Sequence, residues 1–406
     1  MNDTNPHYKE ESMGKSFVLF FCAPVLTLFF AIMGLNIIVD PLALFSDPQP
    51  NDILAEKPFR SIPEHLTLPL TIRNANAIGT LIVGSSTSRQ LLETPGNRIR
   101  ASKTDRRLFP NDPIFNAALG GGTVHMALDV IRHALAFHDI KEIVYVLNFD
   151  GLSAKRNISE NYHSENYDGR AGGQSYARIL PFLWNADTAL DSLKTLVLNS
   201  PLDSKPLGIA KADTLSIRKR WLRNTRDYMY VGLYADFVMT SAETDAINDM
   251  ISLAKSKDIK FTVMASPIHP IQMEMIYQAN VFGAYAKHLR VISDIAQTNG
   301  IDFIAFDIYA SPFSDNYIDV DEQSLPKDAP LYWDGVHFSP GIGIEMVKFM
   351  KSGKSIYGDS FGIHLTNSNV DSYVKTLVHK RDLYLRNNEY VREFIEDALK
   401  TNPRLN

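Results

Sequence analysis

Residues 78–92, IGTLIVGSSTSRQLL, place a short apolar run directly before a turn of glycine and serine. The run from Ile78 to Val83 is typical of a buried strand, and the residues after the turn are typical of the start of a helix. Strands that alternate with helices along a chain form parallel sheets with helices on both faces. This stretch therefore predicts an α/β fold with a serine turn at the end of its first strand.

The same alternation continues along most of the chain. Strand-like runs lie at residues 113–115, 142–147, 260–265 and 302–306, and helical patterns lie at 124–138, 245–256, 271–298 and from 341 onward. We predict a three-layer, flavodoxin-like α/β/α domain with a central parallel sheet over residues 76–350, with an insertion at about 155–240 and a helical tail at 351–406. Ligands bind beyond the carboxyl ends of the strands in such sheets, so the loops there are the candidate site.

An uncharged run occupies residues 16–39. As a helix that rises ~1.5 Å per residue, this run would cross the ~30 Å hydrocarbon core of a bilayer. We predict a short cytoplasmic segment at 1–15, a single transmembrane anchor at 16–39 and an extended, proline-rich tether at 40–75. Lysines before the span favour a cytoplasmic N-terminus, with the body on the extracytoplasmic side of the inner membrane. A buried core helix and a cleaved signal peptide are the alternatives.

Composition excludes several classes of function. The 406 residues carry 41 Lys and Arg against 46 Asp and Glu, a net charge of -5, which does not favour a nucleic-acid partner. Cys22 is the single cysteine, so the chain has neither an internal disulfide nor a cysteine-rich zinc site. The histidines show no metal-ligand spacing, and we predict no metal and no other cofactor.

Asp334 and His337 stand in the segment YWDGVHFSP, after the last predicted strand. A carboxylate three residues before an imidazole can bind it and leave the other ring nitrogen free as a base. Such a base activates a serine, and Ser86 lies in the first turn. Helix capping is an alternative account of the hydroxyl residues Ser85, Ser86, Thr87 and Ser88. The three glycines of NAALGGGT, residues 116–123, suit either a tight turn or the close approach of a ligand.

The order of these segments resembles the SGNH hydrolase (GDSL-like) superfamily. GSS at residues 84–86 resembles its first block, with Ser86 at the nucleophile position, and NAALGGGT resembles its second. The late Asp-x-x-His matches its final block. The anchored architecture is similar to that of membrane-tethered members, including the alginate O-acetyltransferase-like proteins and the D-alanyl transfer protein of teichoic acid synthesis. Two departures are Ser85 in place of the first-block Asp, and a third block, LNFD, whose asparagine is displaced by one position.

The resemblance implies a role for each matching residue. Ser86 would attack an ester carbonyl, His337 would take its proton, and Asp334 would orient the imidazole. The backbone amides of Ser86 and Gly121 and the side chain of Asn148 would form the oxyanion hole. At Asn148, a role as an ordinary turn former is the alternative.

Arg89 and His269 are the candidate substrate-binding residues. Arg89 lies three residues after Ser86, where it can bind an anionic group, and a surface salt bridge is the alternative. His269 lies beyond a predicted strand and just before Pro270, where a structural role is the alternative.

These features predict a membrane-anchored serine esterase or O-acyltransferase that acts on an acyl ester of an envelope or exported polysaccharide. The alternative is a non-catalytic SGNH-fold subunit that binds carbohydrate or helps assemble a polysaccharide modification or export system. The phenylalanines of residues 16–39 offer a surface to an integral membrane acyltransferase, and lipid contact accounts for them without a partner.

Overall fold

The structure is a computed structural model of the chain. It describes residues 7–42, 54, 64–92, 107–109, 111, 113–156, 158, 162–169, 180–199, 217–230, 233–234, 236–315 and 332–400. By its internal contacts the chain divides into two compact units: Met1–Asn74 with Gly172–Ala210, and Ala75–Ala171 with Lys211–Asn406. Residues 172–210, which lie inside the predicted insertion, therefore belong to the first unit.

Strands and helices alternate along much of the described chain. The strands are β1 Thr80–Gly84, β2 Ile114–Asn116, β3 Glu142–Leu147, β4 Lys260–Ala265, β5 Asp302–Phe306 and β6 Gly362–His364. The α-helices are α1 His7–Val39, α2 Glu64–Asn74, α3 Val124–Phe137, α4 Ala186–Leu198, α5 Ile217–Tyr230, α6 Ser241–Ser256, α7 Pro270–Gln278, α8 Phe282–Asn299, α9 Pro340–Ser352, α10 Val370–Asn387 and α11 Glu389–Lys400. Short 3-10 helices cover Ser86–Leu91, Asp150–Leu152 and Ser164–Tyr167; the first of these is called the serine helix below.

The second unit contains a six-stranded sheet in the order β2-β1-β3-β4-β5-β6. Strands β1 to β5 pair in parallel, and β6 pairs with β5 in the antiparallel direction. All six residues of β3 are buried, as expected for a strand covered on both faces. The predicted α/β class is confirmed, and the sheet, which was predicted to be parallel, is parallel except at β6. Strand β6 was not predicted, because its three residues show no apolar run and their pairing with β5 is a tertiary effect.

The apolar runs at 142–147, 260–265 and 302–306 are strands β3, β4 and β5. The helical pattern at 271–298 forms two helices, α7 and α8, with a break between them. Asn280 in this break has a φ of 58°, a left-handed conformation that asparagine tolerates better than most residues. The left-handed conformation of Asn280 therefore accounts for the break between α7 and α8.

Helix α2 lies within residues 40–75, where the sequence predicted an extended tether. Pro69 is inside this helix and removes one backbone hydrogen bond. Its neighbours Leu68, Leu70 and Ile72 are buried, and this burial favours the helix despite the lost bond. The tether prediction is wrong for residues 64–74, whereas residues 43–53 and 55–63 lie outside the described residues.

Helix α1 contains the predicted anchor. Its stretch Phe20–Val39 has a mean hydropathy of 2.3 and is long and apolar enough to span a membrane. At ~1.5 Å per residue, these 20 residues measure about 30 Å. Only 11% of the most apolar window is buried, whereas a helix inside a soluble core is mostly buried.

Helix α9 packs against the serine helix at a position where only glycine fits. A Cβ atom built on Gly343 would lie 1.8 Å from the carbonyl oxygen of Gln90, well inside the distance at which atoms repel. Helix α9 begins three residues after His337, and Gln90 lies four residues after Ser86. This backbone contact therefore brings together two segments that are far apart in the sequence.

We predict that Gly343→Ala lowers the free energy of unfolding by about 1–3 kcal/mol, because the added methyl forces α9 away from the serine helix. The matched control is Gly283→Ala in α8, where an added Cβ meets nothing within 4 Å. This control should leave stability unchanged or raise it by up to about 1 kcal/mol, since alanine favours helix over glycine. Urea unfolding of the full chain in detergent measures both, and equal stabilities would contradict the close contact.

Candidate active site

A sharp turn after β1 carries Ser86. Gly84 at this turn has a φ of 144°, and a Cβ atom there would lie 2.5 Å from the carbonyl oxygen of Val146 on β3. A side chain at this position would therefore clash with the neighbouring strand. The Ser85 side chain forms no capping hydrogen bond, so helix capping does not account for this serine. Ser86, the first residue of the serine helix, is half-buried.

The structure brings Ser86, His337 and Asp334 together. The Ser86 hydroxyl oxygen lies 2.7 Å from Nε2 of His337, across a sequence separation of 251 residues. On the other side of the ring, Nδ1 of His337 lies 2.8 Å from Oδ2 and 3.0 Å from Oδ1 of Asp334. When Nδ1–H donates to the carboxylate, Nε2 is left free to accept the serine proton. The arrangement can therefore activate a hydroxyl as a nucleophile.

Hydrogen bonds within the turn hold Asp334 and His337 in place. Oδ1 of Asp334 accepts from the backbone amides of Val336 at 3.0 Å and His337 at 2.9 Å. The Trp333 amide donates to the His337 carbonyl at 2.7 Å. The same carboxylate thus closes the turn and also binds the imidazole. This double role explains why Asp334 and His337 are three residues apart.

The charge of Asp334 is favoured although the residue is buried. Burial alone would raise the pKa of this carboxyl, but the nearby His337 and the two amide donors outweigh that effect and lower the pKa below its ordinary value. Asp334 is therefore charged at neutral pH. A buried carboxylate beside Nδ1 stabilises the imidazolium that forms when His337 takes a proton.

Asn148 lies beside the Ser86 turn. The parallel register pairs Gly84 with Val146, so Ser86 and Asn148 each stand two residues beyond the last pair. Oδ1 of Asn148 accepts from the Thr87 hydroxyl at 2.9 Å. Within the described part of the chain, Nδ2 of Asn148 donates no hydrogen bond. Thr87 thus orients the amide group and leaves its donor available to a ligand.

Gly121 lies in the loop after β2, which packs on the Ser86 turn. The Leu119 amide donates to the Gly84 carbonyl at 3.0 Å, and the Gly122 amide donates to the Leu119 carbonyl at 3.0 Å. Gly122 is therefore not an available donor. Gly121 has a φ of 69°, and its amide has no acceptor among the residues that the structure describes. Of these two glycines, Gly121 can donate to a ligand.

His269 does not lie where a substrate would touch it. The residue is completely buried, and its Nδ1 accepts from the Ile271 amide at 3.2 Å at the start of α7. Its backbone amide donates to the carbonyl of Gly335, between Asp334 and His337, at 3.0 Å. Burial lowers the pKa of His269 to about 3, so the imidazole is neutral at physiological pH. His269 instead caps α7 and ties it to the turn that carries His337.

Arg89 lies three residues after Ser86 on the serine helix and is half-buried. Side chains three residues apart on a 3-10 helix eclipse one another, so Arg89 and Ser86 lie on the same face. Contact between Arg89 and a substrate stays a prediction.

Phe149 was not predicted as part of the site's support. Its ring stacks on Phe237 with centroids 4.2 Å apart and lies 5.2 Å from the rings of Tyr285 and His288. Phe149 follows Asn148, the displaced asparagine of the third block. Its buried ring fixes the loop after β3 against the core. The sequence shows that residue 149 is aromatic, but the rings that it contacts lie far along the chain. Its role could therefore not be predicted from the neighbouring residues.

A buried ion pair was also missed. Asp150 and the Arg156 guanidinium are in contact, and both side chains are almost wholly buried. Nη2 of Arg156 lies 3.8 Å from the position that a Cβ on Gly121 would occupy. The pair therefore lies close to the turn that presents the Gly121 amide. Their six-residue spacing follows no motif, so the sequence offered no signal.

Among the described residues, no group of three His, Cys, Asp or Glu side chains is placed to hold a metal ion. Comparison of the chain with protein-family models, with curated proteins and with solved structures finds no match.

We expect Arg156→Leu to lower the free energy of unfolding by about 3–5 kcal/mol, because it leaves the Asp150 charge buried without its partner. Arg132→Leu is the matched control: Arg132 is half exposed and bonds Asp249 at 3.0 Å on the surface. Removing that exposed pair should cost less than about 1 kcal/mol. Urea unfolding compares the two variants, and a loss as small for Arg156→Leu as for the control would contradict a buried pair.

Proposed function

We propose that this chain is a membrane-anchored serine esterase or O-acyltransferase of the SGNH hydrolase type, with the three-layer arrangement of that superfamily. The observation that carries the proposal is the 2.7 Å contact between the Ser86 hydroxyl and Nε2 of His337, with Asp334 2.8 Å from Nδ1. The available donors of Gly121 and Asn148 beside the same turn support it.

The reaction begins when the Ser86 oxygen attacks an acyl carbonyl carbon and Nε2 of His337 takes the hydroxyl proton. The carbonyl electron pair moves onto oxygen, and Asp334 stabilises the imidazolium. When the tetrahedral intermediate collapses, the ester bond breaks and the leaving alcohol takes the proton from His337, which leaves the acyl group on Ser86. Water or a sugar hydroxyl then attacks this acyl group, His337 takes its proton, and that proton returns to Ser86 as the product leaves.

The oxyanion that forms in each step needs donors in fixed positions. The backbone amides of Ser86 and Gly121 and Nδ2 of Asn148 fill this role. Thr87 acts through Asn148, because its hydroxyl holds the amide oxygen. Such donors are effective because they are oriented before the charge develops, and losing one costs about 3 kcal/mol of transition-state stabilisation.

The substrate in this proposal is an acyl ester of an envelope or exported polysaccharide, with Arg89 binding an anionic group near the reacting ester. Helix α1 anchors the chain in the inner (cytoplasmic) membrane with the catalytic unit on the extracytoplasmic side. The lysines at positions 9 and 15 precede the span, and the nearest cations after it are Lys57 and Arg60, a bias that favours this orientation. Exclusion of water from the site decides between hydrolysis and transfer to a sugar.

A fluorophosphonate probe tests for an activated serine without knowledge of the substrate. Ser86 of the full chain should be labelled, Ser86→Ala should remove the label, and His337→Ala should slow labelling by at least about 10³-fold because the base is lost. Two variants serve as controls: Ser256→Ala, an exposed serine on α6, and His364→Ala, whose Nδ1 lies 3.2 Å from an Asp302 carboxylate oxygen.

Both control variants should label at the wild-type rate. Labelling that persists in Ser86→Ala would place the reactive group elsewhere. No labelling of the correctly folded wild-type chain would favour the non-catalytic alternative, a carbohydrate-binding or assembly subunit.

Steady-state kinetics on an activated acetyl ester test the oxyanion hole. Asn148→Ala should lower kcat by about 10²–10³-fold with little change in KM, because the donor acts mainly on the transition state. Thr87→Val should give a smaller loss, since Nδ2 remains present but loses its orientation. A loss below about twofold in Asn148→Ala would exclude Asn148 as a donor, leaving the backbone amides alone in this role.

A further inference from the structure

Helix α4 in the first unit has its polarity reversed relative to a helix in water. Four polar side chains on it are almost completely buried: Thr188, Asp191, Ser192 and Thr195. Three leucines face outward, with exposed fractions of 51% for Leu190, 52% for Leu193 and 40% for Leu196. In a soluble protein the apolar stripe of a helix faces the core and the polar face meets solvent. The reversed pattern is the one that a lipid environment favours.

The buried face of α4 and the residues just before it bond to α1, the proposed anchor. Asn36 of α1 is buried, and its Nδ2 donates to the Leu183 carbonyl at 2.6 Å. Its Oδ1 accepts from the Ser192 hydroxyl at 2.7 Å. Both ends of the Asn36 amide are therefore satisfied inside the protein, as polar groups within a membrane must be.

These contacts define the depth of α4. Asn36 lies three residues before Val39, the end of the apolar stretch, a distance of about 4.5 Å along the helix. Leu183 and Ser192 both contact this one residue, so the segment crosses α1 near the end of the span. With α1 spanning a bilayer as proposed, this position corresponds to the boundary between headgroups and acyl chains.

Trp184 extends the contact with α1 toward the middle of the span. Its ring lies 5.3 Å from the ring of Phe29, deeper in the span, and the residue is 40% exposed. Leu180, four residues before it, is also exposed. Exposed Trp184 and the leucines of α4 therefore continue the lipid-facing surface of α1.

We infer that α4 is an interfacial membrane element, with the leucine face at positions 190, 193 and 196 buried in lipid. The inference rests on the proposed anchoring of the chain by α1. Helices of this kind lie in the plane of the membrane with their apolar face buried by about 5–10 Å. A single spanning helix can rotate about its own axis, so this second contact restricts the orientation of the first unit relative to the bilayer.

Fluorescence of the full chain in phosphatidylcholine and phosphatidylglycerol vesicles tests the inference. An environment-sensitive nitrobenzoxadiazole label is placed at native Cys22, which is exposed within the span, or at Leu193→Cys in a Cys22→Ser chain. The control is Ile356→Cys in the same background, an apolar residue of the second unit that is 77% exposed. Each sample is quenched by a doxyl-labelled lipid and, separately, by aqueous iodide.

The label at position 193 should lose most of its emission to the lipid-borne quencher, as the label at Cys22 does, and iodide should quench only the label at position 356. If Cys22 is quenched by lipid but position 193 responds to iodide, α4 lies in water and the inference fails while the anchor stands. If lipid does not quench Cys22 either, the anchoring fails as well. Protection of position 193 from both quenchers would also overturn the inference, because protein would cover the leucine face, and disulfide dimers through Leu193→Cys would identify a second copy.

Discussion

The backbone of α9 meets the carbonyl of Gln90 at Gly343, and no side chain fits between them. Helix α9 starts three residues after His337, and Gln90 belongs to the helix that Ser86 opens. The close approach of these two backbones therefore helps to hold the imidazole 2.7 Å from the hydroxyl. A displacement of about 1 Å is enough to break such a hydrogen bond and to lower a reaction rate by about 10². The packing of α9 on the serine helix therefore also affects the geometry that the proposed chemistry requires.

The charged groups near the site are buried, and each has a partner that stabilises its charge. His337 and two backbone amides favour the charge of Asp334, and Arg156 pairs with Asp150 behind the Gly121 turn. Charges in such surroundings interact more strongly than in water, and they are costly if a partner is lost. In the proposed mechanism their value is orientation, because the donors and the base would be held in place before a substrate arrives.

Several parts of this arrangement follow from local sequence, and others depend on packing. Strands such as β3 could be predicted because a strand buried on both faces is a continuous apolar run. Ser86, Asp334 and His337 could be selected because few residue types perform this chemistry. The position of His269 could not, since the same imidazole caps a helix or binds a ligand according to how its loop packs. The sequence of α4 is amphipathic whether its polar face or its apolar face is buried. Only the contacts with Asn36 of α1 show that the polar face is the buried one.

A structure of the full chain with a phosphonate bound would test the central claim most directly. The account predicts a covalent bond from phosphorus to the Ser86 oxygen and a phosphonyl oxygen about 3 Å from the amide nitrogens of Ser86 and Gly121. The imidazole of His337 should keep its contact with Asp334 in the adduct. A phosphonate attached to another residue, or a phosphonyl oxygen directed away from these amides with His337 displaced from Ser86, would contradict the account.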